Sequence, residues 1–134
     1  MAPTRIYVAG PMSGLPDYNL PAFADAAERL TAAGFEAVNP GRHGVSPGWE
    51  WEDYLRRGLA EMLTCDGVAL LPGWEDSRGA QFEYLVAAKL AMVAADLDLW
   101  LWQPMRCGLV IDGFDEGIQR LAEARAEQAK RRAP

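Results

Sequence analysis

The sequence predicts a single three-layer α/β/α domain with a parallel, Rossmann-like sheet of four or five strands. Short apolar segments bounded by glycine, proline or polar residues alternate along the chain with segments of helical periodicity. Helices of ten or more residues separate the first four predicted strands, which favours right-handed βαβ crossovers and a parallel sheet. At 134 residues, half of them apolar, the chain fits one domain with one sizeable core.

The first half of the chain is predicted to contain two strands and two helices. The elements are, in order, a strand at residues 6–9, a helix at 20–33, a strand at 35–38, a loop at 39–48 and a helix at 51–64. The apolar residues expected to face inward from the two helices are Phe23, Ala26, Ala27, Leu30, Leu55, Leu59, Met62 and Leu63. Pro21 suits a first helical turn, and Gly34 stands where a left-handed residue ends a helix.

The second half is predicted to continue the alternation. The elements are a central strand at 67–71, a loop at 72–77, a helix at 78–92, a strand at 97–102, a short strand at 109–111 and a helix at 116–132. The residues expected to be buried by the helix at 78–92 are Phe82, Leu85 and Val86. We expect residues 1–112 to form the α/β domain and residues 113–134 a C-terminal helix and basic tail, and the last turns of this helix are expected to fray.

Composition excludes several classes of partner. A formal net charge of −6 argues against a nucleic-acid polymer, which needs a basic face, although backbone amides can still hold a single nucleotide. Cys65 and Cys107 match no metal-ligand spacing, so no metal site is expected, and their apolar flanks favour buried free thiols over a disulfide. The chain starts without the apolar segment of a signal peptide, and no apolar run approaches the ~20 residues that cross a bilayer. We therefore expect a cytoplasmic protein without a membrane partner.

The loop after the first strand is the first candidate site. It consists of Gly10, Pro11, Met12, Ser13 and Gly14, and it has neither the Gly-Lys-Ser/Thr ending of a Walker A loop nor a GxGxxG pattern. Two interpretations stay open, a tight turn and a backbone cradle for phosphate or ribose to which the Ser13 hydroxyl adds a donor. In a parallel sheet this loop and the loop at 72–78 lie at the same edge, where ligands bind.

The start of the helix at 78–92 is the second and more specific candidate. Ser77 suits an N-cap, and Gly79 keeps the first turn free of side-chain bulk. Because helical side chains lean toward the N-terminus, Glu83 is predicted to overhang this turn as a carboxylate nucleophile. The helix dipole and Arg78 are expected to favour its ionised form. The alternative is an ordinary surface glutamate.

Other residues give weaker signals. Tyr7 lies in an apolar strand and fits a core position as well as a site. His43, with Arg42, could line the pocket, although a solvated loop histidine is the simpler interpretation. A cluster of Trp49, Trp51 and Trp74 could stack on a base or cover the core.

Several of these motifs together resemble the nucleoside 2-deoxyribosyltransferase superfamily, which includes the nucleoside 5′-monophosphate N-glycosidases. The resemblance lies in the segment 6–10, the strand 65–71 and the spacing Ser77-x-Gly79-x-x-x-Glu83. It covers about three-quarters of the chain, from Arg5 to about Trp102, and is closest to a small branch of unknown function that is common in phages and bacteria.

The resemblance implies roles for particular residues. Glu83 matches the nucleophile that attacks the anomeric carbon, and Tyr7 matches the tyrosine that contacts the sugar and the nucleophile. Ser77 matches a phosphate-binding serine, which favours a 5′-phosphorylated substrate, with Arg78, Gly79 and residues 10–14 as further contacts. A double displacement on one carboxylate implies no metal or organic cofactor. Relatives are dimers or larger, so a homodimer is expected.

One position departs from the superfamily pattern. Where relatives carry an aspartate that protonates the leaving base, eight residues before Asp66, this chain has Gly58. Asp17, Asp53 and Asp76 are candidate substitutes. The expected function is an N-glycosidase or deoxyribosyltransferase-like enzyme that acts on a nucleoside 5′-monophosphate. The alternatives are a nucleotide-binding protein without turnover and a structural α/β domain.

Overall fold

The computed structural model describes residues 3–102. The predicted strand at 109–111, the helix at 116–132, the boundary at residue 112 and Cys107 lie outside the described residues. Cys65 is a free and partly buried thiol.

Four parallel strands form one sheet, which confirms the predicted α/β class. The strands are β1 (Arg5–Ala9), β2 (Glu36–Val38), β3 (Gly67–Leu70) and β4 (Val93–Asp96), and the helices are α1 (Leu20–Ala32), α2 (Trp51–Met62), α3 (Arg78–Lys89) and α4 (Leu97–Trp100). The strand order is β2-β1-β3-β4. Tyr7 on β1 therefore lies between Val38 and Val68, near the centre of the sheet.

Helices cover both faces of the sheet. Side chains alternate along β1, so that Ile6 and Val8 face α1 and α4, whereas Tyr7 and Ala9 face α2 and α3. The first face is packed with large apolar side chains from α1 and α4, namely Phe23, Leu30, Leu97, Trp100 and Leu101. The second face is packed with Met62 of α2 and Ala87 of α3 against Tyr7, Ala9, Val68 and Leu70 of the sheet.

The end of α3 differs from the sequence prediction. The helix stops at Lys89, Ala91 has a left-handed φ of 57°, and Met92 N donates to Ala87 O at 2.9 Å. The chain then enters β4, an alanine-rich strand that the predicted helix at 78–92 and strand at 97–102 had missed. Residues 97–100 form a helical turn instead, because Leu97, Trp100 and Leu101 are buried at i, i+3 and i+4 spacing.

The buried stripes of α2 and α3 also differ from the prediction. Phe82 and Leu85 are exposed, at 45% and 50%, and Leu63 is 56% exposed. The residues that α3 buries are Ala80, Glu83 and Ala87. Apolar content predicted the wrong stripe, since the face of α3 that is buried carries two alanines and a glutamate. The inward face of α1 was predicted correctly for Phe23, Ala26 and Leu30.

Candidate active site

Tyr7 and Glu83 form a buried hydrogen-bonded pair between β1 and α3. The Tyr7 hydroxyl donates to Oε2 of Glu83. Tyr7 is 1% exposed and Glu83 is 7% exposed, and Glu83 is the one charged side chain that is buried among residues 3–102. The two residues singled out from sequence thus meet in space, and the surface-glutamate interpretation is wrong.

Gly58 on α2 packs directly against this pair. A Cβ atom at this position would lie 2.7 Å from the Tyr7 hydroxyl and 3.1 Å from Oε2 of Glu83. The first of these distances is too short for any real side chain without movement of its neighbours. The pair therefore occupies the space into which an aspartate at position 58 would have to project.

Burial controls the protonation of Glu83. The pKa of its carboxyl is raised from 4.5 to about 7, mainly because burial disfavours the charged form. The Tyr7 hydrogen bond opposes this shift, whereas the negative charge of Glu61 adds to it. The net shift is thus away from the ionised form that Arg78 and the helix dipole were predicted to favour, and burial is its largest cause. Burial also raises the pKa of Tyr7 well above 10.0, so its hydroxyl keeps its proton at neutral pH.

The start of α3 has the predicted cap and an unpredicted aromatic neighbour. Ser77 Oγ accepts from Ala80 N at 3.2 Å, as expected of an N-cap. The Arg78 guanidinium lies over the ring of Trp51 at 3.8 Å from its centroid. A Cβ atom on Gly79 would be 3.8 Å from Trp51 Nε1. The first turns of α2 and α3 therefore lie against each other.

The loop at 10–14 adjoins the loop that leads to α3, as predicted for the carboxyl edge of the sheet. A Cβ atom on Gly10 would lie 2.7 Å from Leu71 Cβ, and one on Gly73 would lie 3.3 Å from Pro11 Cγ. Gly14 has a φ of 80°, which favours glycine. This geometry supports the tight-turn interpretation, and the phosphate cradle stays a prediction.

The residues of this loop differ in whether they can donate a hydrogen bond to an anion. Pro11 has no backbone N–H, and its carbonyl oxygen accepts from Asn19 Nδ2 at 3.0 Å, so it offers no donor to an anion. Met12 O accepts from Leu15 N at 3.2 Å, and the Met12 side chain packs against the core. The exposed Ser13 is the residue of this loop whose side chain is available to a ligand.

His43 and Arg42 belong to an ion-pair network on Glu61. Arg42 Nη1 lies 2.6 Å from Glu61 Oε2, and His43 Nε2 lies 2.9 Å from Oε1. Arg57 approaches the same carboxylate at 3.9 Å. An open groove of about 440 Å³ lies beside this network and includes neither Tyr7 nor Glu83 among its lining residues, which are Arg5, Glu36, Ala37, Val38, Arg42, Arg57, Ala60, Glu61 and Thr64. His43 thus pairs within the protein and does not line the Glu83 site.

The candidate substitute acids differ in their surroundings. Asp53 Oδ2 accepts from Glu50 N at 2.8 Å and completes a capping box at the start of α2. Asp17 and Asp76 are exposed, and Asp17 has a left-handed φ of 51°. None of the three contacts Tyr7 or Glu83 through a hydrogen bond in the described part of the chain.

The tryptophans do not form one cluster. Trp49 contacts Tyr54 at 5.2 Å between centroids, Trp74 contacts Tyr84 at 4.7 Å, and Trp51 contacts Arg78. Sequence reasoning missed the placement of Trp51 beside the α3 start and of Gly58 against the pair. Trp51 and Gly58 are seven residues apart, which places them two helical turns apart on one face of α2. This spacing is the sequence signal that could have predicted both placements.

Within residues 3–102 no helix is long and apolar enough to cross a membrane, and no group of three or more His, Cys, Asp or Glu residues is placed to hold a metal ion. The candidate site consists of the Tyr7–Glu83 pair and the start of α3. It offers a carboxylate that titrates near neutral pH, a hydroxyl that orients it, and a helix start that suits an anion.

Comparison with known proteins gives a family and no activity. No curated protein matches the chain. One family model, described as a domain of unknown function (DUF4406), matches residues 4–95, a span that includes Tyr7, Gly58, Ser77 and Glu83. Because this match covers more than half of the chain, the protein belongs to the DUF4406 family.

Proposed function

We propose that the protein is an N-glycosidase or deoxyribosyltransferase-like enzyme that cleaves the N-glycosidic bond of a nucleoside 5′-monophosphate. The observation that carries this proposal is the buried hydrogen bond from Tyr7 to Glu83. A carboxylate that is buried without a cationic partner is costly for stability, and such groups cluster at catalytic sites. The resemblance to the nucleoside 2-deoxyribosyltransferase superfamily supports the same assignment.

In this mechanism Glu83 is the nucleophile. Its free Oε1 attacks the anomeric carbon while Tyr7 holds Oε2, and the base leaves as the glycosyl ester forms. Water, or a second base in a transferase, then attacks the anomeric carbon and releases the carboxylate. With a pKa of about 7, Glu83 is ionised in a substantial fraction of molecules at neutral pH and able to attack.

The 5′-phosphate binds at the start of α3. Ser77 Oγ accepts from Ala80 N, so the serine retains its own hydroxyl proton to donate. The backbone N–H groups of Arg78 and Gly79 lie in the first turn of the helix, where the dipole favours an anion. The Arg78 guanidinium and the Ser13 hydroxyl add further donors. Five groups, four at the start of α3 and one on the adjoining loop at 10–14, thus hold the phosphate.

We further propose that the enzyme works as a cytoplasmic homodimer on free nucleotides and that its relatives include phage proteins. The homodimer is inferred from the superfamily resemblance, and sedimentation of the purified chain measures it directly. A monomeric mass would remove this part of the proposal and leave the chemistry in place.

The alternative is a nucleotide-binding protein without turnover. Gly58 is the observation that favours it, because the side chain that protonates the base in the superfamily is absent and its space is occupied by the Tyr7–Glu83 pair. General acid catalysis contributes roughly a hundredfold to ten-thousandfold, so its loss can leave binding without measurable release.

Release of free base, followed by chromatography, separates these functions. Ribo- and deoxynucleoside 5′-monophosphates and the matching free nucleosides are the substrates. Wild type is compared with Glu83→Gln and with Glu28→Gln, an exposed glutamate on α1. Release from monophosphates that Glu83→Gln abolishes and Glu28→Gln retains is the expected result. No release, with nucleotides still raising the melting temperature, would select the binding protein.

A further inference from the structure

The base of a nucleotide must leave with the electron pair of the glycosidic bond. A neutral base leaves as an anion unless an acid protonates it, and positioned acids supply roughly a hundredfold to ten-thousandfold in rate. The identity of the proton donor therefore limits which bases this site can release.

The described residues around Glu83 supply no such donor. Position 58 is glycine, and a side chain there would collide with the Tyr7 hydroxyl. The Tyr7 hydroxyl donates a hydrogen bond to Glu83, and burial raises the pKa of Tyr7 well above 10.0, which makes it a poor acid. Glu61, which is close enough to influence the charge of Glu83, is held by Arg42 and His43.

Two tryptophan rings at the start of α2 and just before it contact the planar guanidinium groups of arginines. The Arg78 guanidinium stacks on Trp51 at 3.8 Å, and the Arg57 guanidinium stacks on Trp49 at 4.5 Å. Trp51 also lies against Gly79, which is one turn before Glu83 on α3. A ring that binds a flat cation therefore lies against α3 one turn before the carboxylate that would attack the sugar.

We propose that the preferred substrates are nucleotides whose planar base carries a positive charge, such as a pyridinium or an N7-alkylated purine, and that Trp51 is the platform on which this base stacks. The proposal rests on the proposed glycosidase function. The base replaces the Arg78 guanidinium on Trp51, and Arg78 turns to the phosphate.

The reaction then balances without an acid. Glu83 Oε1 forms a bond to the anomeric carbon as the bond from that carbon to the base nitrogen breaks. The electron pair of the broken bond cancels the charge of the base, which departs as a neutral molecule. Water next attacks the anomeric carbon, the Glu83 carboxylate leaves, and the proton of the water passes to solvent.

Matched pairs of substrates test this class. The pairs are nicotinamide mononucleotide with its reduced form, N7-methyl-GMP with GMP, and N7-methyl-dGMP with dGMP, so that both sugars are covered. Each rate is corrected for spontaneous hydrolysis and for release by Glu83→Gln. We expect kcat/KM for the cationic member of the accepted pair to exceed that of its neutral partner by a factor of about 100 or more.

Failure of this inference and failure of the proposed function give different results. Neutral partners that are cleaved within tenfold of the cationic ones, with dependence on Glu83, would overturn the inference and retain the glycosidase. The absence of Glu83-dependent release from every substrate would overturn both.

The platform is tested by Trp51→Leu beside Trp49→Leu. Loss of a cation–π contact is expected to raise KM for the cationic substrate roughly fivefold or more in Trp51→Leu, with a smaller change for the neutral partner. Trp49→Leu, whose ring contacts Arg57 and Tyr54, is expected to leave both KM values unchanged. Equal KM values in wild type and Trp51→Leu would exclude Trp51 as the platform.

Discussion

The hydroxyl of Tyr7 and the carboxylate of Glu83 form a hydrogen bond across 76 positions of sequence, at the point where β1, α2 and α3 converge. The bond engages Oε2 of Glu83, the oxygen that a Cβ atom at position 58 would approach to 3.1 Å. Burial of the pair raises the pKa of Glu83. The stability of the folded protein is therefore expected to depend on pH through this carboxyl. Measurements on this pair test the site even before a substrate is known.

Glu83 is expected to make the protein less stable as pH rises. Its pKa is about 7 in the folded state and 4.5 as the reference for the unfolded chain, so the folded state binds more protons between these values. The stabilisation is fully present below the unfolded-state pKa of 4.5 and is lost as pH rises through the folded-state pKa of about 7. The free energy of unfolding is expected to fall by about 3 kcal/mol in total. Urea unfolding of wild type and Glu83→Gln from about pH 4 to about pH 8 isolates this contribution, since other groups titrate in both. Parallel curves would contradict it.

Tyr7→Phe is expected to raise the pKa of Glu83 above about 7, because the lost hydrogen bond favours the ionised form. Above this pH the variant should also unfold about 1–3 kcal/mol more easily, since the carboxylate loses its donor. Carbon-13 NMR titration of the Glu83 carboxyl measures the first effect. The control is Tyr84→Phe, which changes a tyrosine on α3, the helix that carries Glu83, whose ring contacts Trp74. An unchanged titration in Tyr7→Phe would show that the hydrogen bond does not set the pKa.

Alanine at the two helical glycines is expected to have opposite effects. At Gly58 the new Cβ meets the Tyr7 hydroxyl at 2.7 Å, so overpacking of about 1–3 kcal/mol outweighs the gain in helix propensity of about 1 kcal/mol. At Gly79 the nearest atom is 3.8 Å away, and alanine should raise stability by up to about 1 kcal/mol. Thermal unfolding of both variants, with titration of Glu83 in Gly58→Ala, measures these changes. A more stable Gly58→Ala variant with an unaltered Glu83 pKa would refute the packing argument.

Sequence patterns predicted the six elements from β1 to α3 because each has a strong local signal. Gly34 follows α1 with a φ of 98°, Ser77 caps α3, and β3 is continuously apolar. The pattern failed at β4, whose sequence Val-Ala-Ala-Asp is as compatible with a helix as with a strand. Pairing with β3 decides this segment, and pairing is not visible in local sequence.

The sequence predicted which residues form the candidate site, but it did not predict the direction in which the pKa of Glu83 is shifted. The spacing from Ser77 to Glu83 and the position of Tyr7 could be read from the sequence, since motif and helix geometry are local. The direction of the Glu83 pKa depends on burial by α2, and the role of Gly58 depends on which helix packs against it. Both are consequences of tertiary packing between segments that are distant in sequence.

Ala91→Gly is expected to stabilise the protein by about 0.5–1 kcal/mol, because the end of α3 places alanine in a left-handed conformation that glycine adopts without strain. Gly34→Ala at the equivalent end of α1 should destabilise by a similar amount or more. The two helix ends share one pattern, with Gly34 N bonded to Thr31 O and Ala91 N bonded to Ala88 O. Urea unfolding of both variants measures the effects, and changes of the same sign would contradict the assignment.

Asp53→Ala is expected to cost stability and spare catalysis. Its Oδ2 accepts from Glu50 N at the start of α2, so removal should destabilise by about 0.5–1 kcal/mol. Because this carboxylate acts as a cap, base release per folded molecule should stay within about twofold of wild type, far from the hundredfold loss that removal of a general acid produces. Glu52→Ala, an exposed carboxylate in the same helical turn, controls for the loss of charge near the helix start. A large loss of base release in Asp53→Ala with an intact fold would identify Asp53 as the acid that replaces position 58. The preference for cationic bases would then lose its physical basis, since a neutral base could leave with the proton of Asp53.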